Sequence, residues 1–417
     1  MDAKTRCRLP EPFDVFSPLA YADEDALHRQ LAQLRRELPL AWVDREPYRP
    51  FWIATLNEDI KLIEKTHEIF LSAPRLTLIP REIEEATLAR QGSRTGLART
   101  LLDMDEPEHT KYRNISARWF IGGGLKSLTP RIEAIAEKYA QRLLEHGGEC
   151  DFANDIAVWY PLEVIASILG APLEDAPYIL RMTQALLAAG DPELQQEGDY
   201  GKAAFEEFAG YLGKLLAERR ARPTDDLTSV IANAEIDGSP MGMIEALSYL
   251  LITITAGHDT TAGALTGGMR AFALFPEERA KLITNPELMR NASNEICRWV
   301  TPVRHFMRTA NEDFKLRDVT IAAGDAVALI YPSGNRDERI FEHPEKFLVD
   351  RNTAGHVAFG YGAHACIGRQ LALLELDAFF SRVIPRLASL EIVGTPAPIV
   401  SNLVGGYRHL PIRYELH

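Results

Sequence analysis

The sequence predicts a mainly α-helical protein with a minor β-rich part, and three observations support this fold class. Almost every segment between about 107 and 300 has the apolar spacing of a helix. Strand-like runs are found only at about 40–55 and about 305–415. No repeat and no low-complexity linker separates these parts. We therefore expect one domain over residues 1–417, although the length alone suggests two or three.

Composition and charge exclude several classes of protein. The net charge of −13 argues against nucleic acid as the main partner, because phosphate binding depends on clustered Lys and Arg. The four cysteines lie far apart without a C-x-x-C pair, which gives no support to a disulfide framework or a zinc ribbon. The N-terminus lacks an apolar segment, and the most apolar stretch, Leu247 to Ala256, is too short to span a bilayer. We expect a cytoplasmic protein without membrane contact.

The N-terminal elements alternate between helices and short strands. A helix is predicted over about 23–37 and ends before Pro39, because the residue before a proline is biased away from helix. Strands are predicted at 40–43 and 51–55, and a second helix at 58–70. The segment 72–104 has no clean periodicity, and such long irregular segments often form binding loops.

The central helices are predicted to begin at Pro107, because proline suits the first turn of a helix. Gly122-Gly123-Gly124 predicts a break in the chain after Phe120. Further helices are predicted near 128–146, 153–169, 172–190, 200–221, 225–235 and 240–274. Strands are expected again only after Arg298, at 308–310, 319–321 and 326–330. A last helix over about 366–387 is followed by short strands to the end.

The sharpest chemical signal is the segment Phe359–Gly368, which reads FGYGAHACIG. Gly360 and Gly362 allow the backbone to lie close against a planar group, and Gly368 removes a side chain just beyond the cysteine. Cys366 is predicted at the start of a helix, where N–H groups and the helix dipole stabilise a thiolate.

The segment has three other interpretations. A single cysteine is often a small buried apolar residue. Cys366 and His364 resemble a hydrolase pair, but two residues apart on an extended segment they are roughly 6–7 Å apart, too far for a hydrogen bond. Gly360, Gly362 and Ala365 match the dinucleotide pattern G-x-G-x-x-A, but only one such unit is present and it leaves the cysteine unexplained.

A second signal is Ala256-Gly257-His258-Asp259-Thr260-Thr261, inside the predicted helix 240–274. Glycine and threonine are poor helix formers, and a threonine hydroxyl can bond back to the preceding turn and loosen it. A small residue beside an acid and a hydroxyl leaves room for a ligand and a route for protons. A third signal is Glu295-x-x-Arg298, whose side chains share one helical face.

Together these motifs resemble those of the cytochromes P-450. Phe359–Gly368 matches the cysteine-ligand loop F-x-x-G-x-(H/R)-x-C-x-G at every fixed position. Ala256–Thr260 resembles the distal-helix motif A-G-x-(D/E)-T, and Glu295 with Arg298 resembles the structural E-x-x-R. The resemblance implies the triangular-prism fold, a haem b cofactor and a monooxygenase that inserts one atom of dioxygen into a C–H bond.

The resemblance also assigns roles to residues. Cys366 would be the axial ligand of the haem iron, Thr260 would stabilise the bound oxygen and Asp259 would relay protons. Glu295 and Arg298 would form a structural network completed by Lys346 or Arg351. The remaining residues would contact the haem, and the cationic ones among them would bind its propionates. These residues are His109, Arg113, Ala256, Gly257, Arg308, Phe359, Gly360, His364 and Gly368.

A small apolar substrate, a terpenoid or an aromatic hydrocarbon, is expected from the apolar segments that the resemblance places at the pocket. These are 75–104 and the residues Ile252, Thr255, Ala256, Val303, Phe306, Leu403 and Val404. Arg304 and His305 either recognise a carboxylate or contact backbone and solvent. A 2Fe–2S ferredoxin, served by a separate reductase, is expected to dock near Lys111, Arg113 and Arg118.

The sequence leaves open two functions other than a monooxygenase. A haem-binding sensor without catalysis would keep Cys366 but would not need the pair Asp259 and Thr260. A nicotinamide-dependent dehydrogenase would need neither iron nor Cys366.

Overall fold

The structure is a computed structural model that describes residues 4, 7–91, 100–187 and 200–417. Helices dominate the described chain, as the fold class predicted. They are α1 (Glu24–Glu37), α2 (Asn57–Lys65), α3 (Arg81–Gln91), α4 (Glu108–Ala117), α5 (Gly122–Leu144), α6 (Trp159–Leu169), α7 (Ala176–Leu187), α8 (Tyr200–Ala221), α9 (Leu227–Ala232), α10 (Met243–Leu274), α11 (Pro276–Thr284), α12 (Met289–Val300), α13 (Tyr331–Gly334) and α14 (Arg369–Val383). None of the helices in the described part is long and apolar enough to cross a bilayer.

The strands form one larger sheet and several small ones. They are β1 (Leu40–Val43), β2 (Phe51–Ala54), β3 (Phe70–Leu71), β4 (Glu149–Asp151), β5 (Glu235–Ile236), β6 (Ser239–Pro240), β7 (His305–Ala310), β8 (Phe314–Leu316), β9 (Val319–Ile321), β10 (Ala326–Ile330), β11 (Leu387–Ile392), β12 (Ala397–Pro398), β13 (Tyr407–His409) and β14 (Pro411–Leu416). The larger sheet has the order β1-β2-β10-β7-β3, in which only β2 and β10 are parallel. Strands β2 and β10 are buried along their whole length, which explains their unbroken apolar sequences FWIA and AVALI.

The sheet joins the two ends of the chain. Strands β1 and β2 come from the N-terminal part, while β7 and β10 come from the part after α12. The largest apolar core lies among the helices from α4 to α14, and two smaller cores cover the two faces of the sheet. A β-rich part built from both ends, as the sequence indicated, therefore packs beside the helical body.

Several predicted boundaries are wrong. Strands do occur before Arg298: β4 pairs with β14, and β5 pairs with β6 in a hairpin. The helix predicted over 58–70 ends at Lys65, and Phe70 begins β3. The break predicted after Phe120 is present, because Ile121 is extended, and the three glycines form the first turn of α5.

The last helix also differs from its prediction. It begins at Arg369, three residues after Cys366, and ends at Val383 instead of continuing to Leu387. The cysteine therefore lies in the loop that leads into α14. Helix α14 packs against α5, α10 and α12, so the loop before it is held between the helical body and α2.

Candidate active site

A largely apolar cavity lies between α10 and the loop Gly360–Gly368, which we call the cysteine loop. Ala256 in the middle of α10 is exposed, although the helix around it lies inside the protein. Its exposure is to this cavity, which is also bordered by Cys366. An apolar cavity with a few convergent polar groups is the usual form of a cofactor or ligand site.

Cys366 lies deep in the protein, but its thiol is accessible because it faces the cavity. Its backbone N–H donates to the carbonyl of Phe359 (2.8 Å), which closes the cysteine loop. Burial raises the pKa of the Cys366 thiol, although the backbone N–H groups of Gly368 and Arg369 and the guanidinium of Arg113 favour the thiolate. A metal ion would supply the missing positive charge, because coordination deprotonates a thiol.

Two glycines in the cysteine loop are required by the backbone. Gly360 and Gly362 have φ values of 65° and 70°, a conformation that side chains disfavour. A Cβ atom on Gly362 would lie 2.6 Å from the backbone oxygen of Glu64 at the end of α2. The glycines therefore allow the loop to turn and to pack on α2, a reason that the sequence pattern did not reveal.

The cationic residues predicted from the sequence all border the cavity. Arg113 donates from Nη2 to the carbonyl of Ala365 (2.6 Å), next to the cysteine. The rings of His109 and His364 have centroids 4.0 Å apart. Burial, and then the charge of Arg308, lowers the pKa of His364 to about 2. The structure thus brings together two guanidinium groups and two neutral imidazoles at one cavity.

Two buried acids at the cavity were missed by sequence analysis. Glu64 contacts Tyr331 and Arg308, and burial raises its pKa to about 7. Glu375 on α14 has no charged partner among the described residues, and burial raises its pKa well above the ordinary value. Glu64 lies far from every recognised motif in the sequence, so only the three-dimensional structure could place it here.

The motif on α10 has an inner and an outer side. Thr260 borders the cavity and donates its hydroxyl hydrogen to the carbonyl of Ala256 (3.0 Å). A Cβ atom on Gly257 would lie 2.9 Å from Cγ1 of Ile165, so this glycine lets α10 approach α6. Asp259 is not among the residues that border the cavity, and its Oδ1 lies 3.1 Å from Nε2 of His258.

Comparison with known proteins identifies this architecture. The family model "Cytochrome P450" matches residues 81–401. The chain belongs to the cytochrome P450 family. It is 36% identical to "Cytochrome P450-terp" from a Pseudomonas species, over 99% of both chains. It is 33% identical to a steroid C26-monooxygenase from Rhodococcus jostii, over 98% of this chain and 86% of that protein. The crystal structure of CYP108D1 from Novosphingobium aromaticivorans superposes with a TM-score of 0.89 at 37% identity and covers 97% of each chain.

The protein is therefore a haem-dependent cytochrome P450 monooxygenase, and the predicted family, fold class, enzyme class and cofactor are confirmed. This excludes the nicotinamide-dependent dehydrogenase and the sensor without catalysis. The residues at the cavity fit a haem: a single accessible thiol, two arginines and apolar walls. The described residues contain no group of three or more His, Cys, Asp and Glu side chains that could hold a metal ion.

The E-x-x-R network of this P450 is completed by Arg351. Glu295 and Arg298 form two hydrogen bonds of 2.6 and 2.7 Å, and both side chains are fully buried. Arg351 donates from Nε to Glu295 (3.0 Å), whereas Lys346 contributes only its backbone carbonyl. The structure therefore favours the second of the two residues that the sequence left open.

The cavity includes some, but not all, of the residues predicted for the substrate pocket. Ile252, Val303 and Phe306 border it, as do Leu76 and Leu101 from the segment 75–104. Residues 92–99 of that segment lie outside the described residues. Thr255, Leu403 and Val404 do not border the cavity, so their predicted place in the pocket has no support from the structure.

Arg304 and His305 contact backbone rather than the cavity. Arg304 is buried, donates to the carbonyls of Ile399 and Ser401 and lies 4.3 Å over the ring of Tyr21. His305 accepts the N–H of Leu78 at Nε2 (2.9 Å), and its Nδ1 donates to a backbone carbonyl (2.6 Å). These contacts favour the structural interpretation over recognition of a substrate carboxylate.

Proposed function

We propose that this cytochrome P450 hydroxylates a small apolar substrate, such as a terpenoid or an aromatic hydrocarbon, with electrons from a ferredoxin. The observation that carries the proposal is that the Cys366 thiol and the Thr260 turn border one largely apolar cavity. Haem b bound there supplies the oxygen chemistry: thiolate ligation favours O–O cleavage and insertion of one oxygen atom into a C–H bond.

The residues around the cavity would hold this haem in two ways. Cys366 would hold its iron through the thiolate. Arg113, Arg308, His109 and His364 would bind the propionates, for which the planar guanidinium fork is well suited. The other predicted residues leave space for the macrocycle or cover its faces: Ala256, Gly257, Phe359, Gly360 and Gly368.

Thr260 and Asp259 would deliver protons. In the structure the Thr260 hydroxyl bonds back to Ala256, so it must turn towards the cavity to donate there. Asp259 lies on the outer side of the same turn, and its buried Oδ2 has no partner among the described residues. We propose that a rotation of this carboxylate, or one water molecule, connects it to Thr260.

The ligand assignment is tested by two cysteine variants. Cys366→Ser should abolish the strongly red-shifted Soret band of the reduced carbon monoxide complex, while Cys297→Ser should keep it. Cys297 is the matched control because it also borders the cavity, but its thiol is buried on α12 and burial raises its pKa to about 12. Loss of the band in both variants, or in neither, would contradict the assignment.

The role of Thr260 is tested against a threonine on the same helix. Thr260→Ala should keep the Soret band but form less product per dioxygen consumed, with peroxide as the alternative product. Thr255→Ala should leave this ratio unchanged, because the Thr255 hydroxyl bonds back to Leu251 and does not border the cavity. An equal effect of both substitutions would mean that α10 is disturbed rather than proton delivery.

The apolar substrate is supported by the cavity walls and by the relatives. Ile252, Val303, Phe306 and Leu76 present only hydrocarbon to the cavity. Relatives are named "Cytochrome P450-terp" and "Steroid C26-monooxygenase", and both names point to apolar molecules. We expect terpenes and aromatic hydrocarbons to shift the spin state of the haem, and their carboxylated analogues to bind more weakly. Tighter binding of the carboxylates would overturn this substrate class.

The proposed 2Fe–2S ferredoxin would dock near Arg118, which is exposed just after α4. The other two basic residues expected there are less suitable: Arg113 points inward to Ala365, and Lys111 pairs with Asp237 (2.5 Å). Arg118→Glu should therefore slow reduction by a ferredoxin at low salt, and Arg29→Glu on the exposed face of α1 should not. The separate reductase, the cytoplasmic location and the single domain over 1–417 stay predictions.

A further inference from the structure

Glu64 is a buried acid with one unused oxygen at the cavity. Its side chain is about 1% exposed. Oε1 accepts a hydrogen bond from the Tyr331 hydroxyl (2.7 Å) and lies 3.5 Å from Nη2 of Arg308. Oε2 is buried and has no hydrogen-bond partner among the described residues. A buried polar atom without a partner is costly, and it indicates a group that is missing from the protein alone.

The position of Glu64 connects it with the propionate-binding residues. It borders the same cavity as Arg113, His109 and His364. A Cβ atom on Gly360 would lie 3.3 Å from Oε1, so the carboxyl group packs directly on the cysteine loop. Glu64 therefore lies where the acidic edge of a haem bound to this loop would meet Arg308.

Counting charges at this edge gives an excess of acid. Haem b carries two propionates, and the guanidinium groups of Arg113 and Arg308 balance them. Among the described residues that line the cavity, no guanidinium group is then left for Glu64. Like charges that share a buried site do not all ionise, so one carboxyl group retains a proton.

We propose that Glu64 is a neutral carboxylic acid in the haem-loaded enzyme and that its Oε2 donates a hydrogen bond to a haem propionate. This inference rests on the proposed binding of the propionates near Arg308. Burial raises the pKa of Glu64 to about 7 in the protein alone, in spite of Arg308 and Tyr331, and a nearby propionate would favour the proton further. The proton links the haem potential to pH, because reduction adds negative charge and strengthens proton binding.

Other groups around Glu64 have to be separated from it in the test. Arg308 and Tyr331 face it from the sheet and α13, and the backbone N–H of Tyr361 faces it from the cysteine loop. On its own helix, Lys61 donates to the carbonyl of Gly355 (2.5 Å) and Lys65 is the last residue. The other imidazole and carboxyl side chains at the cavity are those of His109, His364 and Glu375.

The test is infrared difference spectroscopy of the holoenzyme, reduced minus oxidised. We expect a carbonyl band of a protonated carboxyl group that shifts in deuterium oxide and with isotope-labelled glutamate. It should vanish in Glu64→Gln and persist in Glu375→Gln, the matched buried acid. A band that shifts only with isotope-labelled haem carboxyls would place the proton on the propionate and overturn the proposal, as would a band that survives Glu64→Gln.

The haem potential provides a second readout. The midpoint potential of the wild type and of Glu375→Gln should decrease as the pH is raised from about 6 to about 8. The midpoint potential of Glu64→Gln should change much less over the same range. If Glu64→Gln fails to hold haem, the proposal is tested with glutamate-labelled Glu375→Gln alone. Absence of the carbonyl band of a protonated carboxyl group from its infrared difference spectrum would then overturn the proposal. A red-shifted Soret band in every sample keeps this outcome distinct from a failure of the proposed haem site.

Discussion

The imidazole of His258 and the carboxylate of Asp259 form a buried ion pair on the outer side of α10. Nε2 of His258 lies 3.1 Å from Oδ1 of Asp259 and 3.1 Å from the hydroxyl of Thr183 on α7. Nδ1 faces the carbonyl of Ile254 (2.9 Å). The Thr183 hydroxyl also donates to the carbonyl of Leu180, so both ring nitrogens face acceptors, an arrangement that favours the imidazolium.

This ion pair predicts how stability depends on pH. Burial opposes the charge of His258, but Asp259 and the carbonyl of Ile254 raise its pKa above the ordinary value. The pair therefore stabilises the fold fully below about pH 6.5, the unfolded pKa, and the stabilisation is lost as pH rises through the raised folded pKa. The difference in the free energy of unfolding between wild type and His258→Gln should therefore decrease as the pH rises from about 6.5 through the raised folded pKa.

The control for His258→Gln is His146→Gln, which replaces an exposed histidine at the end of α5. Denaturant titrations at a series of pH values should give a difference from wild type that does not change with pH for this control. A flat difference for His258→Gln as well would mean that the ring is neutral, and Thr183 would then be its hydrogen-bond donor.

A second prediction distinguishes the two basic residues near Glu295. Arg351→Met should lower the free energy of unfolding by about 2–4 kcal/mol, because a buried carboxylate loses one of two cations. Lys346→Met should change it by less than about 0.5 kcal/mol, because the exposed Lys346 contributes only its carbonyl. The measurement is the denaturant midpoint at equal haem content, and equal effects of both variants would contradict this network.

The sequence predicted the short motifs of the site better than the side chains that pack around them. The cysteine loop and the α10 motif were found because each is a short continuous pattern in the chain. The contacts of Glu64 with Arg308 and of Glu295 with Arg351 join segments 244 and 56 residues apart, and no local pattern encodes such pairs. Position on a motif also did not fix orientation: Asp259 turns away from the cavity because His258, buried beside it, supplies the charge partner.

Boundaries were missed where tertiary pairing overrides local preference. Phe70 looks helical by spacing, but it pairs with Ala310 as an edge strand of the sheet. Strand β4 is three residues long, and it exists because β14 offers it a partner from the other end of the chain. Short elements of this kind have no periodicity of their own to detect.

A third prediction concerns acid sensitivity at His305. Nε2 accepts the N–H of Leu78, so the buried ring must be neutral, and burial lowers its pKa to about 4. The unfolded state takes up the proton first as pH falls below about 6.5. The ring therefore contributes stability above this pH that is lost as pH falls to about 4, by roughly 3 kcal/mol in total.

His305→Gln should remove part of this acid sensitivity, because a glutamine oxygen can accept from Leu78 but does not titrate. The variant should be less stable than wild type at neutral pH and should lose less stability on acidification, measured by denaturant midpoints between about pH 4 and about pH 7. Parallel losses in both proteins would assign the acid sensitivity to other groups, with His356 as the next candidate because burial lowers its pKa to about 3.

The last prediction tests which residues limit the space for substrate. Val303 borders the cavity just before β7, whereas Leu403 lies beside it in the chain's C-terminal part without bordering the cavity. Val303→Phe adds an aromatic ring to the apolar wall, and we expect the Kd of the largest terpenes that bind the wild type to rise at least about tenfold, or about 1.4 kcal/mol. Leu403→Phe should leave these Kd values unchanged. Substrate-induced spin-state titrations measure both, and a larger effect at Leu403 would place the substrate on the other side of Val303.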